Sequence, residues 1–428
     1  MSAQLDNQAI SILKENDLGG YTIPTKGLYP YQWNWDSAFV ALGFATFNMD
    51  RAWEEIELLF EGQWDDGMVP HIIFRKDDPS YFPGPSVWGT TNPKIPTSGH
   101  SQPPVAATVV RRLFEQDTSA AGKEKIKSLF PKLLAWHRWY HTYRDPEGHG
   151  VIAIMHPWES GRDNLPDWDN AASYVDISDI GEYTRKDTSH VNPEMRPKKI
   201  DYDRYLAIVK FGRDNNWDPK IVAEQCPFFV ADPGNTFILL RADRDLLAMA
   251  EALGETEAAE ELKGWIALTE KGIAKLWNEE KQAFCTYDLR NDVLGTGISS
   301  ASFLAPYAGI REEKYINPTR EHFDRIAAKV NYTMPSYDPD HPLFESMRYW
   351  RGPVWGIINY LIATGFAELG DAARAERLRT DTVALIEKSD FAEYFDPITG
   401  EGAGGNSFSW TSAIWLTWAT PSLTAKAA

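Results

Sequence analysis

Apolar positions recur at helical spacing over most of the chain, and the connections between the helical stretches alternate between short and long. Helices are predicted at about 36–47, 51–62, 104–116, 121–143, 235–253, 255–277, 319–330, 356–369, 371–388 and 409–418. The run Thr236-Phe-Ile-Leu-Leu-Arg-Ala-Asp-Arg-Asp-Leu-Leu-Ala-Met, for instance, gathers its apolar residues on one side of a helix. Gly254 and Gly370 each separate two such stretches, the place where a helix-ending residue belongs. Every second connection is instead a long irregular segment: 63–103, 144–200, 278–316, 331–355 and 390–408. These segments hold most of the Pro, Gly, Trp, His and Asp, and long loops inside compact domains are usually functional. Strand signals are few and short, Val151-Ile-Ala-Ile being one. Helical hairpins in series predict an all-α fold, an (α/α)6 barrel. Its long loop insertions, at about 63–103 and 144–200, are expected to form a cap over one end.

The chain has 428 residues, more than a typical domain, but no linker, low-complexity tract or charge block divides it. One catalytic domain spanning 1–428 is therefore expected. A balance of 43 basic against 61 acidic residues gives a formal charge of −18. That excludes sequence-independent binding to nucleic acid or to an anionic membrane, both of which need a positive surface. Cys226 and Cys285 are the two cysteines, far apart in sequence, which fits a reducing compartment. The first twenty residues are polar, without the apolar core of a signal peptide, and no window reaches the roughly 20 apolar residues that span a bilayer. The cytoplasm is the expected location. Oligomeric state is open: exposed aromatics would serve a homo-oligomer interface or a cleft equally well.

Aromatic content changes the picture, with 17 Trp, 18 Tyr and 20 Phe. Most such rings belong in a core, yet many here fall in Pro/Gly-rich loops. Two of those loops also carry carboxylates: His156-Pro-Trp-Glu-Ser-Gly-Arg-Asp-Asn164, and Glu393-Tyr-Phe-Asp-Pro-Ile-Thr-Gly-Glu-Gly-Ala-Gly-Gly-Asn-Ser-Phe-Ser-Trp410. Acids among aromatic rings in two separate loops suit glycoside hydrolysis, in which one carboxyl protonates the leaving oxygen and a second serves an attacking water or a covalent intermediate. In the first loop Asp163 competes with Glu159. An Asp before Asn is commonly a turn-former, but Gly161 permits a sharp bend, while Trp158 and Trp168 can shield an acid and raise its pKa. Arg162 is available to hold one carboxylate ionised. In the second loop Glu393 competes with Glu401. The residues alone decide neither contest.

Other chemistries lack their signatures. Gly400-Glu-Gly-Ala-Gly-Gly has no following Lys-Ser/Thr and no preceding apolar strand, so it does not read as a nucleotide loop. The nine His show no HExxH-like spacing, and no Gly-x-Ser-x-Gly elbow occurs. No metal and no organic cofactor is expected.

Several motifs resemble those of the short bacterial members of glycoside hydrolase family 63, the mannosylglycerate and glucosylglycerate hydrolases. They are Tyr29-Pro-Tyr-Gln-Trp-Asn-Trp-Asp36-Ser-Ala-Phe, Glu159-Ser-Gly-Arg-Asp163-Asn, Arg348-Tyr-Trp-Arg-Gly-Pro-Val-Trp355, Glu393-Tyr-Phe-Asp-Pro and Phe408-Ser-Trp-Thr-Ser-Ala. The match runs in order along nearly the whole chain. It implies an (α/α)6 catalytic domain and an inverting mechanism, with Asp163 as general acid and Glu393 as general base. Glu401 then becomes structural. Inversion implies carboxyls about 6.5–9.5 Å apart, with room for a water.

The resemblance also puts Tyr29, Trp33, Asp36, Tyr81, Gln102, Trp350 and Trp355 around the sugar. One of Trp33 and Trp35 is expected to do no more than pack at a helix start. Arg196 and Tyr202 resemble a glycerate-contacting pair on a mobile loop, Arg being suited to grip a carboxylate with two parallel hydrogen bonds. The bland alternative makes Arg196 one of several exposed charges beside Lys198 and Lys199. The implied activity is hydrolysis of glucosylglycerate or mannosylglycerate, a compatible solute, to hexose and glycerate. The alternatives are an α-glucosidase for a neutral disaccharide such as trehalose or kojibiose, and a catalytically inactive carbohydrate-binding protein.

Overall fold

The computed structural model describes residues 2–91, 95–189 and 191–420. Its helices are α1 (Ser2–Asn16), α2 (Asn34–Ala45), α3 (Met49–Leu59), α4 (Pro85–Trp88), α5 (Ala106–Gln116), α6 (Ala120–Tyr143), α7 (Asp169–Ser173) and α8 (Lys199–Asp214). They continue as α9 (Pro219–Gln225), α10 (Pro233–Leu253), α11 (Thr256–Gly272), α12 (Glu313–Ala327), α13 (Gly356–Glu368), α14 (Ala372–Ser389) and α15 (Ser409–Ile414). A π turn, Trp415–Ala419, prolongs α15.

The fold is the all-α barrel. Helices α2, α5, α10, α13 and α15 form the inner ring, which α15 closes by packing on α2. Outside them, α1 packs on α15, α3 on α2, α6 on α5 and α10, α11 on α10, and α14 on α13. Burial explains the two layers. Inner helix α2 buries every residue from Asn34 to Phe44, and α13 is buried from Gly356 through Ala363. An outer helix such as α3 buries one face only, including Trp53, Ile56 and Leu59, as an amphipathic helix should. The glycine expectation also holds, since Gly254 and Gly370 end α10 and α13 with φ of 77° and 75°.

The sixth inner position departs from the predicted pattern. A single 3-10 turn, Ser300–Phe303, fills it between α10 and α12. The chain that follows lies so close to α13 that a Cβ on Gly365 would stand 2.4 Å from the Tyr307 backbone nitrogen. The periodicity also missed α1, α8 and α9, and α12 starts at Glu313, ahead of the predicted 319, with Pro318 inside it. Short strands pin the loops. Gln32–Trp33 pairs with Ile72–Ile73, Tyr394–Phe395 pairs with Gly402–Ala403, and Ala153–Ile154 joins a small antiparallel sheet with Val230–Ala231. Both cysteines are buried free thiols. No described helix is long and apolar enough to cross a membrane.

Candidate active site

The segments that lead into α2, α5, α13 and α15 converge on one cavity. Segment 63–103 contributes Ser80, Tyr81 and Phe82 to its wall, and segment 144–200 contributes Trp158, Lys186, Asp187 and Arg196. Trp33 caps α2 in an extended conformation, φ −99° and ψ 146°, and Asp36 follows in the first turn. The Gln102 Oε1 accepts the Trp35 N–H at 3.1 Å, which leaves the amide NH2 as its donor. Trp350 N–H donates to Asn164 Oδ1 at 2.9 Å, tying the loop before α13 to the loop that bears Asp163.

Asp163 is aimed by the bend before it. Gly161 has φ +67°, and a Cβ there would stand 2.6 Å from the Trp35 ring, so only glycine fits. Arg162 turns away to pair with Asp232, and the Tyr205 hydroxyl donates to the Asp163 carbonyl at 2.8 Å. The Asp163 side chain lines the cavity and is part-buried. Burial pushes its carboxyl up to about 7. The Arg196 charge opposes this and the Glu393 charge adds to it.

Glu393 sits at the start of the Tyr394–Phe395 hairpin. Its Oε2 accepts the Gly405 N–H at 2.9 Å, and its Oε1 accepts the Tyr29 hydroxyl at 3.1 Å. A Cβ on Gly404, whose φ is +75°, would lie 2.2 Å from Oε2, so the glycine turn is built around this carboxyl. Burial raises the Glu393 pKa, whereas Arg196, Gly405, Tyr29 and Tyr349 all act to lower it. Asp36 is raised well above the usual range, first by burial and then by the Glu393 charge. Three carboxyls in one enclosed space cannot all be ionised near neutral pH, and their titrations are coupled. Glu393 has the best supply of donors and so holds the negative charge most easily. Asp163 is the carboxyl poised to carry a proton.

The cavity wall also holds a buried cation, Arg196. Arg196 Nη1 donates to the Tyr29 hydroxyl at 3.1 Å and Nε donates to Asp187 at 3.1 Å. Its guanidinium stacks 4.1 Å from the centre of the Tyr349 ring. The Tyr29 and Tyr349 hydroxyls are 3.2 Å apart. Tyr202 lines the cavity with its ring and donates its hydroxyl to the Phe82 carbonyl at 3.1 Å.

The rival acids lie elsewhere. Glu159 is fully buried, but both its oxygens are taken by Arg144, at 2.8 and 2.9 Å, and its pKa is lowered. Glu401 is exposed. Trp168 lies behind Arg162, bonded to its carbonyl. Of the expected sugar-binding residues, Tyr29, Trp33, Asp36, Tyr81, Gln102 and Trp350 all line the cavity. Trp355 does not: it stacks flat behind Trp350, with ring centres 3.8 Å apart, as the backing of that wall. Trp35 reaches the cavity as well as Trp33, so neither of the pair is confined to core packing.

The family model of the mannosylglycerate hydrolase MGH1-like glycoside hydrolase domain matches residues 29–411. The chain belongs to this family. It is 46% identical to the mannosylglycerate hydrolase of Thermus thermophilus over 96% of this chain and 99% of that one. It is 33% identical to the glucosylglycerate hydrolase of Mycolicibacterium hassiacum over 97% of each. The structure superposes with a TM-score of 0.94 on a crystal structure of a GH63 mannosylglycerate hydrolase, also from Thermus thermophilus, in complex with Tris and D-glycerate. That match has 46% identity and covers 97% of this chain and 99% of the other.

Sequence reasoning about this MGH1-like glycoside hydrolase missed several cavity residues. Tyr349 adjoins the expected Trp350, but it meets the site through Tyr29 and Arg196, both far away in sequence. Asp187 and Lys186 fall in a stretch with no periodicity. His71 lines the cavity at the end of a stack with His100, 4.8 Å away, and His156, 5.1 Å beyond. Burial depresses all three imidazole pKa values, so they stay neutral.

Proposed function

We propose that the chain is an inverting α-glycosidase that hydrolyses mannosylglycerate or glucosylglycerate to the hexose and glycerate. One observation carries this reading: a buried guanidinium, Arg196, shares with two carboxyls of opposite aptitude a cavity rich in aromatic rings. A neutral disaccharide would leave the spare N–H groups of that cation without a substrate partner, whereas a glycerate carboxylate supplies one. The two bonds to Tyr29 and Asp187 use two of the five guanidinium N–H groups, and the remainder can grip the carboxylate. The relatives whose names specify mannosylglycerate and glucosylglycerate support the same substrates.

In this mechanism the hexose lies against Trp33, Tyr81 and Trp350, with Asp36 and Gln102 on its hydroxyls. Asp163, protonated near neutral pH, gives its proton to the glycosidic oxygen as the C–O bond to the anomeric carbon breaks. Glu393, ionised, takes a proton from the water that attacks the opposite face. The hexose leaves with inverted configuration and glycerate leaves protonated on its former bridging oxygen. On this reading residues 1–428 serve one catalytic domain, roofed by segments 63–103 and 144–200. The work is done in the cytoplasm on a small molecule.

The test is release of free glycerate by purified protein from glucosylglycerate and mannosylglycerate, beside trehalose and kojibiose. Glycerate release with the neutral sugars untouched supports the proposal and ranks the two hexoses. Cleavage of only the neutral disaccharides overturns the role of Arg196 as a carboxylate clamp.

A further inference from the structure

Asp187 belongs to the roof of the cavity, and its carboxylate is held by two arginines. Arg185 grips both oxygens, at 3.0 Å to Oδ1 and 2.6 Å to Oδ2, and Arg196 Nε reaches Oδ2 at 3.1 Å. Each guanidinium also lies over a ring, Arg185 over Tyr202 at 4.3 Å and Arg196 over Tyr349 at 4.1 Å. From Arg196 the contacts run on: 3.1 Å to the Tyr29 hydroxyl, then 3.1 Å from that hydroxyl to Glu393 Oε1. A continuous polar chain, Asp187–Arg196–Tyr29–Glu393, therefore joins the roof to the carboxylate at the cavity floor.

The other groups facing Glu393 make that chain consequential. They are the Gly405 N–H, the Tyr29 and Tyr349 hydroxyls, the Tyr394 ring and the carboxyls of Asp163 and Asp36. Arg196 is the cation acting on it. An arginine on an irregular loop has many rotamers, and fixing one against a tyrosine hydroxyl costs side-chain entropy. The bond to Asp187, itself clamped by Arg185, offsets that cost. The three charges leave a net +1, enough for one substrate carboxylate and for the field that Glu393 feels.

We propose that Asp187 is a positioning residue for hydrolysis: from the roof it holds Arg196 against Tyr29 and so keeps Glu393 ionised and aimed into the cavity. This rests on Glu393 being the base. Without the anchor Arg196 is free to swing away, and Glu393 faces two other carboxyls with no cation to favour its charge. It then takes up a proton at higher pH and stops accepting one from water.

The experiment compares the wild-type enzyme with Asp187→Asn and Glu393→Gln on two substrates. One is the glycosylglycerate, and the other is the matching α-glycosyl fluoride, which has no carboxylate and whose leaving group needs no proton. With the fluoride, Asp187→Asn is expected to lower kcat about tenfold. It should also move the acid limb of kcat/KM up by about one pH unit, the low end of the usual shift on losing a nearby opposite charge. Tyr29→Phe in the Asn background should add little, because both changes cut one chain. If the Asn variant does not fold, Asp187→Glu keeps the charge but displaces the anchor, and should shift the limb the same way by less. An acid limb that stays put or moves down, the direct effect of losing the Asp187 charge while Arg196 keeps its place, overturns the proposal. Unchanged fluoride turnover with only a higher KM for the glycerate substrate then leaves Asp187 as an aglycone contact. Full fluoride turnover by Glu393→Gln overturns the base itself, an outcome distinct from failure of the Asp187 role.

Discussion

Replacing Asp163 with Asn removes a carboxyl whose pKa the folded cavity holds at about 7 against an ordinary 3.8. The cause is burial first, reinforced by Glu393 and opposed by Arg196. Between those two pH values the folded protein keeps a proton that the unfolded chain has already lost. The unfolded state then binds fewer protons, so stability falls as pH rises through this window. Three pKa units at 1.36 kcal/mol each set a ceiling of about 4 kcal/mol. Coupling to Glu393 and Asp36 spreads the cost, and about 2–4 kcal/mol is the working range. The Asn variant carries no such penalty. Denaturant unfolding of both proteins at pH 4 and pH 8 should give nearly equal stabilities at the lower pH, with the variant ahead by that amount at the higher. Its turnover of glycosylglycerate should meanwhile fall about 10²–10⁴-fold, the usual worth of a general acid. A stability difference that is the same at both pH values, or a wild type that is the more stable at pH 8, would refute the argument that Asp163 is held protonated.

Three further outcomes follow from the geometry. Arg196→Ala should raise KM for the glycerate substrate roughly 10–100-fold, the loss of a charged hydrogen-bonded pair worth about 1.5–3 kcal/mol. KM for an α-glycosyl fluoride should change little, and steady-state kinetics on both substrates separate the two. Gly404→Ala puts a Cβ 2.2 Å from Glu393 Oε2 at a φ of +75°. It should therefore lower kcat at least about tenfold by displacing the base, since misplacements of about 1 Å can cost a hundredfold; unchanged kcat would show that the turn tolerates the methyl group. Arg144→Ala strips the partner from Glu159, which is 0% exposed. Thermal or denaturant unfolding should show a loss of about 3–5 kcal/mol, as for other buried charges left unpaired.

The layers of the barrel were legible where burial imposes a period. Inner helices α2, α10 and α13 and outer helices α3, α11 and α14 each carry an apolar stripe or an unbroken apolar run. Helix α1 escaped because its text is polar, with Asp6, Lys14 and Glu15, and its apolar face is a narrow one of Leu5, Ala9, Ile12 and Leu13. The turn that replaces a sixth inner helix has too few residues to show any period. In the site, motif resemblance led to Asp163 and Glu393. The reason for preferring them over Glu159 and Glu401 is three-dimensional: Arg144 reaches Glu159 from the end of α6, and Gly405 curls back to Glu393 across a hairpin. Asp187 and Tyr349 carry no local signal at all, because what makes them matter is Arg196 lying between them.

The position of the cavity at the starts of inner helices raises a final question of magnitude. Asp36 lies in the first turn of α2, where the helix terminus favours a negative charge by about 0.3–2 kcal/mol. Yet its pKa is raised well above the ordinary value, because burial and the nearby Glu393 charge both act against ionisation. The helix terminus is the weaker influence and loses. Burial and the Glu393 charge both favour the neutral form of Asp36, which brings a hydroxyl donor as well as an acceptor to the cavity. A sugar hydroxyl donates and accepts in the same way, so a neutral Asp36 can satisfy one at both ends where a carboxylate could only accept. The same enclosure that makes Asp163 an acid therefore also suits Asp36 for binding the ring, and it leaves Glu393, with its ring of donors, as the carboxylate able to act as base.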